Sequence, residues 1–177
     1  YSYKLYINPT LVKLMIEVNN IHKSFGENDI LKGISTTFEK GKTYLLEANS
    51  GTGKSSLCSY IYGYRRDYQG QILFDGEDIS QYTIAQWTSV RKKHISLLWQ
   101  ELRLFPELTA LENVQIKNKL TGMQKKKQIL EWFDILGITD KQDVKIGQMS
   151  LGQQQRVALI RSLCQPFDFL FVDEPIS

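Results

Sequence analysis

The chain has 177 residues and a net charge of +3, and 42% of its residues are hydrophobic while 23% are charged. These values describe a globular protein of one domain, or of one domain with an inserted lobe, and exclude a disordered chain. They also exclude a dedicated nucleic-acid-binding domain, in which Lys and Arg are concentrated on one face. No nucleic-acid partner is therefore expected.

Signals for export or membrane insertion are missing from the sequence. No run approaches the roughly 18 apolar residues that a membrane-spanning helix needs. Residues 1–14 lack the pattern of a signal peptide and are interpreted as an uninformative N-terminal extension. Cys58 and Cys164 lie far apart among apolar residues, without metal-ligand spacing, and are expected to be buried thiols. These features predict a cytoplasmic protein whose folded domain begins at residue 15.

The first half of the domain alternates short β-rich runs with turns. Strands are predicted over MIEVNNI (15–21), GISTTF (33–38), TYLLEA (43–48) and GQILF (70–74). Asp75 and Gly76 mark a turn after the last of these strands. Between the predicted strands 43–48 and 70–74, residues 54–64 place Leu57, Tyr60, Ile61 and Tyr64 at helical spacing. This spacing predicts a helix that packs on a core.

The second half is mainly helical. Helices are predicted over 83–93, over 110–120 with Thr109 as its N-cap, over 125–137 with Gly137 as its C-cap, and from Ser150 to about Cys164. Two apolar runs, HISLLWQ (94–100) and FDFLFV (167–172), predict strands. This order favours a mixed α/β layer that holds a helical insertion from about residue 100 to 148.

The segment EANSGTGKSS (47–56) follows the G-x-x-x-x-G-K-[ST] pattern of a phosphate-binding loop, except that Ala48 replaces the first glycine. Gly51 and Gly53 allow the backbone to turn its N–H groups towards anionic oxygens. Lys54 carries an ammonium group to the β- and γ-phosphates, and Ser55 offers a hydroxyl group to Mg²⁺. The predicted nucleotide contacts of this loop are Asn49, Ser50, Gly51, Thr52, Gly53, Lys54, Ser55 and Ser56.

Four further sequence features lie outside this loop, one upstream of it and three downstream. Phe25 lies in a turn upstream of it, and Gln100 directly follows a predicted strand. Ser150, Gly152 and Gln153 open a predicted helix in the sequence SLGQ. Asp173 and Glu174 end the last predicted strand.

Together, these motifs resemble the nucleotide-binding domain of ABC-type ATPases, from about Met15 to the last residue. The resemblance implies an α/β fold: a P-loop NTPase core with an N-terminal antiparallel β region and a helical insertion subdomain at about 100–148. It also implies ATP and Mg²⁺ as ligands. Because family members continue beyond the position of Ser177, to a strand-end histidine among other elements, we expect the domain 15–177 to be incomplete at its C-terminus.

The resemblance assigns a role to each of the candidate residues outside the phosphate-binding loop and the SLGQ motif. Phe25 matches the aromatic residue that stacks on adenine. Gln100 matches the glutamine that senses Mg²⁺ and the attacking water while contacting the transmembrane partner. Asp173 matches the aspartate that acts on Mg²⁺ through water, and Glu174 matches the general base. The metal site would thus draw on Ser55, Gln100 and Asp173.

The SLGQ motif implies a second copy of the domain. In the family, two domains pair head to tail, and the Ser150, Gly152 and Gln153 positions of each contact the ATP of the other. Leu151 stands where the family has its first glycine in this motif, so we expect closure of the dimer to be weakened. The partner domain is expected to be an identical or a related chain.

The function implied is that of an ATP-binding subunit of an ABC transporter, peripheral on the inner face of the cell membrane and bound to transmembrane permease subunits. The segment LFPELTALENV (104–114) is most similar to subunits of lipoprotein or macrolide exporters and of amino-acid importers. Two alternatives share the same motifs. One is a soluble ABC ATPase acting on ribosomes or DNA, and the other is a fragment that binds nucleotide without hydrolysing it.

Overall fold

The computed structural model describes residues 14–47 and 51–173. These residues form two compact units, one made of residues 14–47 and 67–81 and the other of residues 51–66 and 82–173. Apart from Leu14, the predicted N-terminal extension lies outside the described residues. The helical subdomain at about 100–148 falls within the second unit, and its boundaries stay a prediction.

The first unit is a four-stranded antiparallel sheet in the order β2-β1-β3-β4. Its strands are β1 (Met15–Phe25), β2 (Asn28–Glu39), β3 (Gln69–Phe74) and β4 (Glu77–Asp78). Alternate apolar side chains of β1 point to one face, where Ile16 and Val18 are buried with Ile72 of β3. Asp75 and Gly76 both have positive φ, 53° and 80°, and form the predicted turn between β3 and β4.

One predicted strand of this unit is wrong. Residues 43–47 of TYLLEA form no strand, and the residue at 48 lies outside the described residues. Leu45 in this segment is 80% exposed. A strand requires a neighbour with which to exchange backbone hydrogen bonds, and no described strand pairs with this segment. Tyr44 instead turns back, and its hydroxyl accepts a hydrogen bond from the Glu39 backbone N–H at 3.0 Å.

The second unit combines five helices with a two-stranded parallel sheet among its described residues. The helices are α1 (Lys54–Ile61), α2 (Ile84–Lys93), α3 (Ala110–Thr121), α4 (Lys126–Ile135) and α5 (Leu151–Ser162). The strands are β5 (Ile95–Leu98) and β6 (Phe169–Val172). Of the described helices, none has both the length and the apolar character needed to cross a bilayer.

The N-caps predicted at Thr109 and Ser150 are present, whereas the C-cap of α4 is Leu136, one residue before the predicted Gly137. Thr109 and Ser150 each form a capping box, in which the hydroxyl group accepts from the backbone N–H three residues on. Gly137 has a φ of 65° just beyond α4, where an L-residue would be strained. The Lys125–Lys127 run is exposed on the first turn of α4, as expected for a solvated helix face.

The core of the second unit joins α3, α4 and α5 through the fully buried Val114, Phe133 and Val157. Trp132 and Leu136 pack against its edge, in agreement with the predicted apolar face of α4. The prediction for α1 needs a correction at its end. Tyr64 lies beyond α1 and is 60% exposed, because the helix ends at Ile61.

Candidate nucleotide-binding site

Helix α1 begins after a glycine that provides no side-chain cap. Gly53 is the N-cap, with a φ of 94°, and makes no side-chain cap hydrogen bond. Gly51 also has a positive φ of 77°, yet a Cβ atom there would meet nothing within 4 Å. Glycine is therefore required at Gly51 by the backbone conformation and not by crowding. The first-turn N–H groups and the positive end of the helix dipole favour an anion at this position.

The inner face of helix α1 is buried and fixes the position of the helix N-terminus. Leu57, Tyr60 and Ile61 are buried along its inner face, whereas Lys54 is half-buried and Ser55 is exposed at its first turn. At the other end, Arg91 donates to the backbone carbonyls that follow α1, with Nε at 3.0 Å from the Tyr62 oxygen and Nη2 at 2.8 Å from the Gly63 oxygen. The polar first turn is thus positioned by the burial of apolar side chains along α1 and by the Arg91 hydrogen bonds after its C-terminus.

The two parallel strands end at one acidic edge. Leu98 of β5 pairs with Val172 of β6, so the residues that follow both strands emerge at the same side of the sheet. Asp173 comes directly after β6, is 6% exposed, and its backbone N–H donates to the Leu98 carbonyl at 3.1 Å. Gln100 lies two residues beyond β5 and is exposed. A carboxylate and an amide side chain therefore share this edge.

The electrostatics of Cys58 link α1 to this acidic edge. Burial, and after it the negative charge of Asp173, raise the pKa of the Cys58 thiol to about 12. Charges act on a thiol in this way only over short distances within a folded protein. The Asp173 carboxylate is thus close enough to Cys58 of α1 to act on its thiol.

The two thiols should be unreactive in the folded chain. Burial raises the pKa of Cys58 and of Cys164 to about 12, from a usual value near 9.0. The attacking species is the thiolate, so a disulfide reagent at pH 8 should label the native chain at least about a hundredfold more slowly than the chain in urea. Since the folded pKa is the higher one, the protonated thiols favour folding below pH 9, and this contribution is lost between pH 9 and 12. Single Cys58→Ser and Cys164→Ser variants assign the rates, and rapid native labelling of either thiol would contradict its burial.

The SLGQ motif opens α5 with an organised N-terminus. The Ser150 hydroxyl accepts from the Gln153 backbone N–H at 3.4 Å, and the Gln153 side-chain oxygen accepts from the Ser150 N–H at 3.0 Å. The hydroxyl proton of Ser150 is not used in this box. At Gly152, a Cβ atom would meet nothing within 4 Å, so the packing of this chain does not require glycine there. Leu151 is 59% exposed beside it.

Phe25, the predicted adenine-stacking residue, belongs to the first unit. It is the last residue of β1 rather than a turn residue, and half of its surface is exposed. The Lys23 ammonium lies 4.7 Å from the centre of its ring. Three other predicted site residues, Asn49, Ser50 and Glu174, lie outside the described residues.

The sequence did not predict two contacts near the site that join residues distant in the chain. Arg91 clamps the end of α1 from 28 and 29 positions away. His94 was expected to have a structural role, and its Nδ1 lies 2.5 Å from Asp168 Oδ2 at the start of the parallel strands. No local pattern marks either contact, because each joins elements that are distant in the sequence.

A glycine-flanked helix start beside the acidic end of a parallel strand, within an α/β fold, defines a P-loop NTPase core. The family described as "ABC transporter" matches residues 31–177 of the chain. The lipoprotein-releasing system ATP-binding protein LolD of Porphyromonas gingivalis is 32% identical over 165 residues, which cover 92% of this chain and 75% of LolD. The chain therefore belongs to the ABC transporter family.

Other relatives are longer than the matched chain. The Fe(3+) ions import ATP-binding protein FbpC of Escherichia coli O157:H7 is 34% identical, and the match covers 93% of this chain and 47% of FbpC. The ribose import ATP-binding protein RbsA of Streptococcus agalactiae serotype V is also 34% identical, with 93% of this chain and 34% of RbsA covered. The chain thus spans half or less of the length of these two relatives.

A solved structure confirms the predicted fold class. The dimeric structure of the bacterial ABC transporter cassette MJ0796 superposes with a TM-score of 0.78 at 27% identity, covering 90% of this chain and 74% of that one. A second structure of MJ0796, a dimeric post-hydrolysis state bound to ADP and phosphate, gives the same TM-score at 26% identity. The α/β P-loop core with its antiparallel β region and inserted helices is therefore that of an ABC cassette.

Proposed function

We propose that this chain binds ATP with Mg²⁺ and hydrolyses it as the ATP-binding subunit of an ABC transporter. The observation that carries the proposal is the glycine-capped start of α1, where Gly53 is the N-cap with a φ of 94°. The buried carboxylate of Asp173, directly after β6, supplies a second group of the kind that a nucleotide site needs. A nucleotide phosphate chain with a divalent cation is the ligand that such a pair of groups fits.

Each group has a defined task in this proposal. The N–H groups after Gly51 and Gly53 hold phosphate oxygens, and the Lys54 ammonium neutralises their charge. Phe25 offers an exposed ring for the adenine base. Glu174, as the motif predicts, accepts the proton of the attacking water.

The residues at the acidic edge fit Mg²⁺. The hydroxyl of Ser55, the carboxylate of Asp173 and the amide oxygen of Gln100 are the hard oxygen donors that this ion prefers. Among the described residues, no three His, Cys, Asp or Glu side chains gather to hold a metal by themselves. This suits an ion that takes part of its ligands from phosphate groups and would supply charge neutralisation there.

The N-terminus of α5 supports the expected head-to-tail dimer. The unused Ser150 hydroxyl proton and the free first-turn N–H groups are donors for a phosphate. The open space at Gly152 leaves room for the close approach of an anion from outside the chain. We propose that this anion is the γ-phosphate of ATP bound to a second, identical or related domain.

The transport role rests on the relatives. LolD is named for lipoprotein release, FbpC for Fe(3+) import and RbsA for ribose import, and each is named an ATP-binding protein. We propose that this chain likewise acts on the inner face of the cell membrane, bound to transmembrane permease subunits. Its cargo is set by those subunits.

The proposal is tested with the unmodified chain, in two measurements. A fluorescent ATP analogue should bind in the presence of Mg²⁺, and phosphate release should stop when EDTA removes the metal. Affinity-tagged chain purified in detergent should retain an integral membrane protein that mass spectrometry identifies. Binding without Mg²⁺-dependent turnover would contradict the hydrolysis step, and retention of ribosomes or DNA instead of a membrane protein would favour the soluble alternative.

A further inference from the structure

A cation lies against the exposed ring at the end of β1. The Lys23 ammonium is 4.7 Å from the centre of the Phe25 ring. Residues two apart on a strand point to the same face of the sheet, and this brings the two side chains together. Phe25 nevertheless remains 50% exposed, so a large part of its ring is available to a ligand.

The ammonium is itself fixed in place. Nζ of Lys23 lies 2.7 Å from Oδ2 of Asp67, in the segment that leads to β3. The Lys23 side chain is only 16% exposed, whereas that of Asp67 is 48% exposed. A lysine near a hairpin end ordinarily keeps its ammonium in water, because ordering its long side chain costs conformational entropy. Here the ion pair and the ring contact together offset that cost.

The backbone that carries Phe25 is also held. Strands β1 and β2 stay paired to the end of their hairpin, where Phe25 faces Asn28. The Ser24 hydroxyl donates to Asp29 Oδ1 at 2.6 Å across the two strands. Gly26 then turns the chain with a φ of 59°. The hairpin thus sets the position of the Phe25 backbone, and the ring keeps only the rotations about its side-chain bonds.

The charge of Lys23 is balanced by its carboxylate partner. At 2.7 Å, the Lys23 and Asp67 side chains form an ion pair of net zero charge. Such a pair attracts a distant phosphate group much less than an unpaired ammonium does, because the contributions of the two charges nearly cancel. An effect of Lys23 on nucleotide binding should therefore pass through the Phe25 ring and not through the phosphate chain.

We propose that Lys23, anchored by Asp67, is a positioning residue that holds the Phe25 ring in the orientation in which it stacks on adenine. The ammonium attracts the negative face of the ring and resists its rotation into other rotamers. A ring that is ordered before the ligand arrives loses less conformational entropy on binding. The inference rests on the proposed function for the presence of adenine at Phe25.

Replacing Lys23 by methionine tests this role, because methionine keeps a long unbranched side chain without the charge. In calorimetric titrations with Mg²⁺, the affinity of the full chain for ATP should fall about three- to tenfold. Its affinity for inorganic tripolyphosphate, which has no base, should stay unchanged. Lys23→Arg keeps a cation that stacks on aromatic rings and should keep the ATP affinity. Lys32→Met removes the same charge from an exposed position of β2 and should change neither affinity.

A double-mutant cycle locates the effect at the ring. Phe25→Ala alone should lower the ATP affinity about tenfold or more, which is the usual contribution of an aromatic ring stacked on a base. Adding Lys23→Met to Phe25→Ala should cause no further loss, since the cation then has no ring to hold.

The anchor of the ammonium provides a second variant. Asp67→Asn removes the ion pair with little change of shape, and it should give a smaller loss than Lys23→Met, again for ATP and not for tripolyphosphate. Melting temperatures report any loss of folding, and Asp67→Asn carries the test if Lys23→Met does not fold.

The outcomes separate this inference from the proposed function. If the unmodified chain binds neither ATP nor tripolyphosphate, the proposed nucleotide binding fails and this inference fails with it. If ATP binds and depends on Phe25, while Lys23→Met and Asp67→Asn leave its affinity unchanged, this inference alone is wrong. Equal losses for ATP and tripolyphosphate, or a loss that persists in the Phe25→Ala background, would show that Lys23 acts on the charge or the fold and would overturn its role at the ring.

Discussion

Replacing Lys54 by alanine should reduce the affinity of the chain for ATP at least about a hundredfold and abolish measurable turnover. The side chain belongs to the first helical residue of α1, where the glycine-capped N-terminus already favours an anion. Its ammonium adds a mobile charge, and a charge-assisted hydrogen bond contributes about 1.5–3 kcal/mol. Calorimetric titration with ATP and Mg²⁺ measures the loss.

Lys126→Ala is the matched control for this change. Lys126 is also the first residue of a helix, α4, and its removal changes the net charge equally. The N-cap there is Lys125, in an extended conformation and without flanking glycines. Nucleotide affinity should therefore stay at the unmodified value. Equal affinities of Lys54→Ala and the unmodified chain would show that the loop does not bind phosphate through Lys54.

Features that depend on neighbouring residues were predictable from the sequence. The Thr109 and Ser150 caps were confirmed, and Gly137 lies one residue beyond the C-cap of α4, because such hydrogen bonds and dihedral angles involve residues within four positions. The Asp75-Gly76 turn follows the same logic. The positive φ values at Gly51 and Gly53 likewise agree with the phosphate-loop pattern.

Features that depend on distant residues were not predictable in the same way. The apolar run at 43–47 satisfied the pattern of a strand, but a strand exists only where another strand pairs with it. The sequence did not show that Arg103, Lys117 and Arg161 line one pocket, because they are separated in the chain and converge only when α3 and α5 pack together. The sequence placed Gln100 and Asp173 each at the end of an apolar run, and the parallel pairing of β5 with β6 then brings both strand ends to one edge.

Replacing Gly152 by glutamate should abolish ATP-dependent dimerisation without harming the fold. A Cβ at this position meets nothing within 4 Å, so the longer side chain is accommodated. Gly152 is the second residue of α5, where an acidic side chain interacts favourably with the helix dipole by about 0.3–1 kcal/mol. Helix propensity also favours glutamate over glycine by roughly 0.5–1 kcal/mol. The melting temperature should therefore stay the same or rise.

The same charge is unfavourable for the proposed dimer. A carboxylate at the N-terminus of α5 would face the γ-phosphate of the second domain, and like charges brought together at an interface cost several kcal/mol. Sedimentation with a slowly hydrolysed ATP analogue should therefore show the dimer affinity reduced at least about a hundredfold, with nucleotide binding by the monomer retained. Gly152→Ala adds one methyl group without charge and should give a smaller loss.

Ala85→Glu provides the control that isolates this effect. Ala85 is the exposed second residue of α2, and Thr83 and Gln86 form a capping box there like that of Ser150 and Gln153. The substitution thus adds the same charge at the same helical position and should leave dimerisation intact. A Gly152→Glu chain that dimerises normally with nucleotide would mean that α5 does not face the partner's phosphate. A variant that is more stable yet monomeric would show that glycine is kept at this position for a second molecule.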